Sequence, residues 1–450
     1  MTETLSAVIS AARHRREQPA LYVGLVADAP RAPASRISLA ALDRVELGRS
    51  DARRLTLRRE DDAACAVLEL ADGRLSQRHA RLTRVGGVWV LEDLRSKNGS
   101  WIDGERVTSR QLCDGDAILV GHTMLVFRTG GGEEPTALEP AAPRAPGLGT
   151  LAPVLAARFG ELATAARTTV PIEIVGETGT GKELAARAAH TLSGRPGRFV
   201  AVNCGALAQT LLEAELFGHH KGAYTGAADD RAGLVRSADR GTLFLDEVVE
   251  LAPVSQVALL RVLQEGEVVP VGADRGVKVD VRVVVASHRG LDAAVAAGTF
   301  RADLRARLLG VAIELPPLRD RIEDLGLLVP GLLAKVVGDR EITFSADAVA
   351  ALYAHDWPLN IRELERSLAA AAAVAPDRIE LGHLPATMRT AGKVAAPVDV
   401  EQLSPADRTR RAELEAAIAR HGGNLAEVAR EMGKDRTQIR RWMKRFGLTR

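Results

Sequence analysis

Residues 170–190, VPIEIVGETGTGKELAARAAH, pass from a short apolar run through a glycine-rich turn into a stretch with helical periodicity. A strand, a glycine loop and a helix in that order gather backbone N–H groups and a helix N-terminus around one point, which makes a cradle for phosphate. Lys182 follows the last glycine and can reach terminal phosphates. The general pattern puts Ser or Thr next, to meet magnesium, but here the residue is Glu183. Residues 241–247, GTLFLDE, supply the second half of such a site: an apolar strand ending in Asp246 and Glu247, where one carboxylate can hold a metal and the other can polarise water. The runs VPIEIVG, RFVAVN, GTLFLDE and VRVVVAS alternate with helical stretches, so a parallel sheet covered on both faces is expected.

A chain of 450 residues exceeds one ordinary core, and two stretches read as linkers: 129–149, rich in Gly, Pro and Ala, and 391–405. They separate an expected first block at 20–128, a middle block at 150–390 whose part from about 318 is helical, and a last block at 406–450. In the first block short β-like runs (SRISL, GGVWVLEDL, DAILVGHTMLVF) are parted by DG and GG turns, the pattern of an all-β sandwich. The last block reads as short helices, the final one basic. From Ser404 onward there are twelve Arg and Lys against six Asp and Glu, a net +6 that leaves −4 for the rest of a +2 chain. No uncharged apolar run has the length of a membrane span, and LSAVISAA near the start has its basic residues behind it, the reverse of a secretory signal, so a cytoplasmic protein with no membrane partner is expected. Cys65, Cys113 and Cys204 lack the spacing of a zinc site or disulfide framework.

GETGTGKE, ELFGHHKGAYTGA, GTLFLDE, FRADLRARL, LPPLRDRIEDL and WPLNIREL occur in this order, and through them residues 150–390 resemble the AAA+ domain of bacterial sigma-54-dependent transcription activators, the enhancer-binding proteins. The resemblance implies an ATPase with ATP and Mg2+ as cofactors, the metal on Asp246. It implies a nucleotide pocket of Gly176, Glu177, Thr178, Gly179, Thr180, Gly181, Lys182 and Glu183 with Ser287, His288 and Arg362. Catalytic roles then fall to Lys182, Asp246 and Glu247, to Asn203 as a switch acting through Glu247, and to Arg301 and Arg307, offered to a neighbouring subunit of a homo-oligomeric ring, a hexamer when active. Gly222, Ala223, Tyr224, Thr225, Gly226 and Ala227 match the loop that touches sigma-54, with Tyr224 where the family has Phe. Four positions depart from the family: Ser287-His288 replaces Thr-Asn, His220 replaces a glutamate, and Leu359 replaces the glycine of a PGN turn.

Residues 422–448 resemble a Fis-type helix-turn-helix, with Leu425, Val428, Ala429 and Met432 facing Ile439, Trp442 and Met443, and with Arg436, Thr437, Gln438, Arg440, Arg441 and Lys444 offered to DNA. In the first block ELGRS, LSQRHARL, LEDLRSKNGSWIDGERV and LCDGDAILVG resemble a forkhead-associated (FHA) domain. That implies a phosphothreonine site at Arg49, Ser76, Gln77, Lys97 and Asn98, with His79 bracing the loops. The whole reads as an ATP-driven activator bound to upstream enhancer DNA, remodelling sigma-54 RNA polymerase under control of a phosphothreonine protein and a Ser/Thr kinase. The rival is an ATPase-impaired, DNA-bound repressor or scaffold that recruits through its FHA domain.

Overall fold

The computed structural model describes residues 18–130, 136, 138, 143–206, 209–220, 222, 229–273, 275–389, 405–421, 425–434, 438, 439, 442, 443, 446 and 448. The first block is a sandwich of two six-stranded sheets. One sheet runs, edge to edge, Ser35–Ser38, Ala20–Val26, Thr123–Arg128, Ala117–Val120, Ser100–Ile102 and Glu105–Val107; the other runs Ser109–Gln111, Val88–Asp93, Ala80–Val85, Arg44–Arg49, Ala63–Leu70 and Arg54–Glu60. Tight hairpins close where the sequence offers residues that tolerate a left-handed backbone: Gly86-Gly87 (φ +58°, +87°) and Asp103-Gly104 (φ +51°, +84°).

The middle block is a five-stranded parallel sheet in the order Phe199–Asn203, Thr242–Asp246, Arg282–Ser287, Ile172–Val175, Val311–Glu314. Alternate residues of the apolar runs serve opposite faces, as a strand's two-residue period demands. Val283 and Val285 join Leu243 and Leu245 in one core, whereas Val284 and Ala286 join Ile172, Ile174 and Phe244 in another. Ala145 and Leu148, inside the stretch that reads as a linker, are buried in the second of these cores. The helices Leu325–Val337, Ala346–Ala354 and Asn360–Val374 then build a helical lid. In the last block the helices Pro405–Arg420 and Leu425–Glu431 share a core with Ile439, Met443 and Phe446, against which Met432 and Trp442 pack.

The sandwich and the lid share one core. Strand Ala20–Val26 is buried along its whole length because it has two apolar faces. Leu21 and Val23 fill the sandwich, while Ala20, Tyr22 and Leu25 join Leu325, Val329, Phe344, Tyr353 and Trp357 of the lid. The backbones approach so closely that a Cβ on Gly326 would lie 2.9 Å from Gly24 Cα and 3.0 Å from Ala34 Cβ. Leu25 N donates to Tyr353 Oη (3.1 Å) and Phe344 N to Ala27 O (2.8 Å), so the backbone groups at the joint are paired. At its edge the buried Arg128 donates through Nε to Glu323 Oε2 (2.9 Å), with Asp114 3.3 Å away. Burial opposes the charge on Arg128, but the two carboxylates outweigh it and hold the guanidinium protonated.

Gly326→Val should therefore open this joint without unfolding either partner. Overpacking of this kind costs about 1–3 kcal/mol. Hydrogen exchange should rise at residues 20–26 and 344–353, while strand Ile172–Val175 stays protected.

Candidate functional site

The turn between strand Ile172–Val175 and helix Lys182–Ser193 is built on glycines that cannot be replaced without strain. Gly179 and Gly181 have φ of +80° and +103°, and a Cβ on Gly179 would lie 2.2 Å from Leu359 O. Lys182 is almost buried, and its Nζ donates to Gly176 O (2.9 Å) and Glu177 O (3.3 Å). Burial pushes its pKa down and Arg362 adds to this, against the pull of Asp246 and Glu247. Asp246 ends its strand in register with Asn203 on the neighbouring strand. Burial raises the Asp246 carboxyl above its ordinary value, with Glu247 and Glu183 adding to the rise and Lys182 opposing it. A cation or phosphate-bound metal placed there would relieve that cost. Among the described residues no cluster of three or more His, Cys, Asp or Glu could hold a metal alone. Two carboxylates do fit a magnesium ion whose other ligands are phosphate and water.

The departures from the family pattern have definite places. His288 Nε2 lies 3.0 Å from Thr178 Oγ1 and 3.5 Å from Glu247 Oε1, so it bridges the glycine loop and the carboxylate pair. Asn203 Oδ1 instead accepts from Gly205 N (2.9 Å). Glu183 pairs with Arg187 one helical turn on (2.7 Å). Ser287 is buried at the end of its strand and its carbonyl accepts from Gly176 N (3.2 Å). Leu359 has φ −108°, and the left-handed conformation of this turn falls on Asn360 (φ +55°), a residue type that tolerates it.

Asn360 acts as a clasp. Its side chain is buried, donating through Nδ2 to Glu177 Oε2 (3.2 Å) and Thr178 O (3.0 Å) and accepting at Oδ1 from Leu318 N (2.7 Å). Arg319 grips both oxygens of Glu177 (2.8 and 2.5 Å), and this pairing is the main reason the Glu177 carboxyl sits below its ordinary value. Buried Arg321 donates to Thr180 O (2.9 Å), and Ile361 N to Gly179 O (3.0 Å). Arg319, Arg321 and Asn360 were missed as site residues from sequence, although LPPLRDRIEDL and WPLNIREL carried them. Arg362 is exposed but close enough to Lys182 to affect its titration. Arg301 and Arg307 are exposed on the segment around helix Ala302–Leu308, where Arg301 pairs with Asp303 (2.7 Å). Gly222 is exposed with φ +82°; Ala223, Tyr224, Thr225, Gly226 and Ala227 lie outside the described residues.

On the sandwich the phosphothreonine candidates come together at one end. Arg49 N donates to Ser76 O (3.0 Å), Lys97 N to Ser76 Oγ (3.1 Å), and Asn98 Nδ2 to Arg74 O (2.6 Å). Arg49, Gln77, Lys97 and Asn98 are exposed. His79 is buried behind them, accepting from Ser76 N at Nδ1 (3.2 Å) and facing Gly99 O through Nε2 (3.2 Å), so it ties the two loops together. Burial lowers its pKa, which favours the neutral ring this bonding needs. In the last block Gln438 is partly buried, and Arg436, Thr437, Arg440, Arg441 and Lys444 lie outside the described residues.

A glycine loop at the head of a parallel sheet, covered by a helical lid, defines the AAA+ class. Residues 150–314 match the sigma-54 interaction domain, 45–121 the FHA domain, 319–400 the AAA+ ATPase lid domain and 411–446 the Fis family of bacterial regulatory proteins. The chain belongs to the sigma-54-dependent transcriptional activators. It is 43% identical over 300 residues to the hydrogenase transcriptional regulatory protein HoxA of Cupriavidus necator, covering 64% of this chain and 62% of HoxA. It is 41% identical to the transcriptional regulatory protein ZraR of Salmonella typhimurium, covering 64% of this chain and 66% of ZraR. The chain thus spans less than two thirds of these relatives. Brucella abortus NtrX, solved in complex with ADP, superimposes with a TM-score of 0.50 at 32% identity, covering 65% of this chain and 68% of NtrX. No helix among the described residues is long and apolar enough to cross a membrane.

Asn360→Asp should loosen the lid, because it removes an amide donor and sets a second carboxylate 3.2 Å from Glu177 Oε2. A buried polar group left unpaired costs about 1–3 kcal/mol. In thermal unfolding, the double variant with Glu177→Gln should lose less than the sum of the two single losses.

Proposed function

We propose that this protein is an ATP-driven transcription activator that hydrolyses ATP as a ring, hexameric when active, and uses the cycle to remodel sigma-54 RNA polymerase at promoters whose upstream enhancer DNA it binds. The observation that carries the reading is the convergence of Lys182, the Asp246–Glu247 pair and the lid's Arg362 on one glycine cradle. There Lys182 supplies charge to the terminal phosphates. Asp246 is the ligand for Mg2+, which when bound neutralises phosphate charge. Glu247 orients the attacking water, and Arg362 senses the phosphate whose charge changes on hydrolysis. Arg301 and Arg307, exposed and outside this pocket, serve the nucleotide of the next subunit. Gly222–Ala227 is the surface that touches sigma-54, and Arg436, Thr437, Gln438, Arg440, Arg441 and Lys444 meet DNA. The phosphothreonine site at Arg49, Ser76, Gln77, Lys97 and Asn98 places the cytoplasmic ring under a Ser/Thr kinase. The domains proposed are 20–128, 150–390 and 406–450.

The contact of His288 with Glu247 favours a second reading, a DNA-bound repressor or scaffold with impaired hydrolysis. A ring nitrogen donating to Glu247 there would compete with the attacking water for the carboxylate. His288→Asn separates the two readings: in the activator it changes turnover modestly, whereas in the impaired protein it raises a slow ATPase by tenfold or more, about 1.4 kcal/mol in the barrier.

Lys182→Ala should abolish ATP binding, and Glu247→Gln should retain binding but stop phosphate release in a steady-state assay. Thr225→Ala should keep the ATPase and lose open-complex formation in transcription with purified sigma-54 polymerase. Normal transcription by that variant would remove the loop from the mechanism.

A further inference from the structure

The sandwich and the lid part company beside their shared core, leaving a cleft of about 430 Å³. A volume of this order takes a drug-sized ligand or a short peptide segment. Trp101 and Leu119 form its sandwich wall, and Ala350 and Ala354 of helix Ala346–Ala354 form its lid wall. Both alanines are at least partly exposed, and their small side chains are what leaves the space. Asn98 and Arg74 also line the cleft, and these two residues are hydrogen-bonded to each other at the proposed phosphothreonine loops. Trp101 continues the same loop, donating from Nε1 to Asn98 O (3.3 Å). The cleft is therefore the direct extension of the recognition loops, and its lining changes from polar at Asn98 to apolar between Trp101 and Ala354, with Asp347 and Arg389 also on the lid side.

We propose that a phosphothreonine peptide held by these loops continues into the cleft and lodges an apolar side chain, close to its phosphothreonine, between Trp101 and the Ala350–Ala354 face of the lid. The inference rests on the phosphothreonine reading and adds that the ATPase lid is part of the peptide-binding surface. The partner it selects has a large aliphatic residue near the phosphorylated threonine. A peptide bound this way touches helix Ala346–Ala354, which shares one core with helix Asn360–Val374, the helix that contacts the nucleotide loop.

The test uses the full-length chain and fluorescein-labelled phosphothreonine peptides of Ala, Ser and Gly, with one leucine moved through the positions on either side of the threonine. Anisotropy titration should show one position at which leucine improves affinity over alanine by about tenfold, the effect of burying one aliphatic side chain. In Ala354→Trp, which fills the cleft from the lid side, the ratio of leucine to alanine affinities at that position should fall to near one; a melting curve checks that the variant is folded. Trp101→Ala removes the opposite wall and should flatten the same ratio. The proposal is overturned if no position favours leucine, or if the preference survives in Ala354→Trp. Equal binding of phosphorylated and unphosphorylated peptides by the wild type, or unchanged phosphopeptide affinity in Arg49→Ala, overturns the phosphothreonine reading itself and this proposal with it.

Discussion

The segment Leu318–Asp324 joins the parts of this molecule because four of its charged side chains reach out to three different places: the glycine loop, the sandwich and the start of the sheet domain. Arg319 takes Glu177 in the glycine loop, and Arg321 takes the carbonyl of Thr180 in the same loop. Glu323 takes Arg128, the last residue of the sandwich's strand Thr123–Arg128. Asp324 accepts from Thr150 Oγ1 (2.8 Å) and Leu151 N (2.6 Å), just ahead of the first helix of the sheet domain. Arg321, Glu323 and Asp324 are all buried. A buried charge without its partner is far costlier than the same charge in water, so each pairing constrains the others through a backbone only a few residues long.

This constraint places the sandwich on the lid as a packed subunit rather than a tethered one. The shared core continues through Tyr22, Tyr353 and Trp357, and the close approach of Gly24 to Gly326 leaves no room for sliding. On the proposed function, movement of the lid during the ATP cycle then either carries the sandwich with it or breaks the joint. The Glu323 pairing and the Arg321 contact with Thr180 O lie two residues apart in the chain, so the joint and the nucleotide loop are held by one short stretch of backbone. A phosphoprotein bound at the far end of the cleft would act on that same lid.

Much of this was legible in the sequence where a local rule governs. The glycine loop, the carboxylate pair and the parallel strands follow from spacing and apolar runs, and the turns at Gly86-Gly87 and Asp103-Gly104 follow from the need for positive φ. The His79 brace likewise stands where the resemblance put it. What was not read was the joint, although its signal was present. In a two-sheet sandwich the outer face of a strand should be polar, yet ALYVGLV and TMLVF are apolar at successive positions, so both faces had to be covered. The stretch before Thr150 misled in the opposite way. Its Pro and Gly content reads as linker, but single apolar residues such as Ala145 and Leu148 suffice to anchor an irregular segment. Periodicity cannot reveal that.

The substitutions at 288 and 359 show how far local rules reach. Leucine at 359 does not favour a left-handed backbone, and that conformation falls on the next residue, Asn360. The asparagine side chain points inward, where its amide joins Leu318 N, Glu177 and Thr178 O. The leucine itself is exposed, and the residue beside it supplies the contact that docks the lid. His288 is different, because no neighbouring residue compensates for it. It keeps a contact with Thr178 but also reaches Glu247, and an imidazole can donate to that carboxylate permanently only in one tautomer or when protonated. Both departures thus stand beside the glycine loop, but only His288 touches the carboxylate on which the proposed hydrolysis depends.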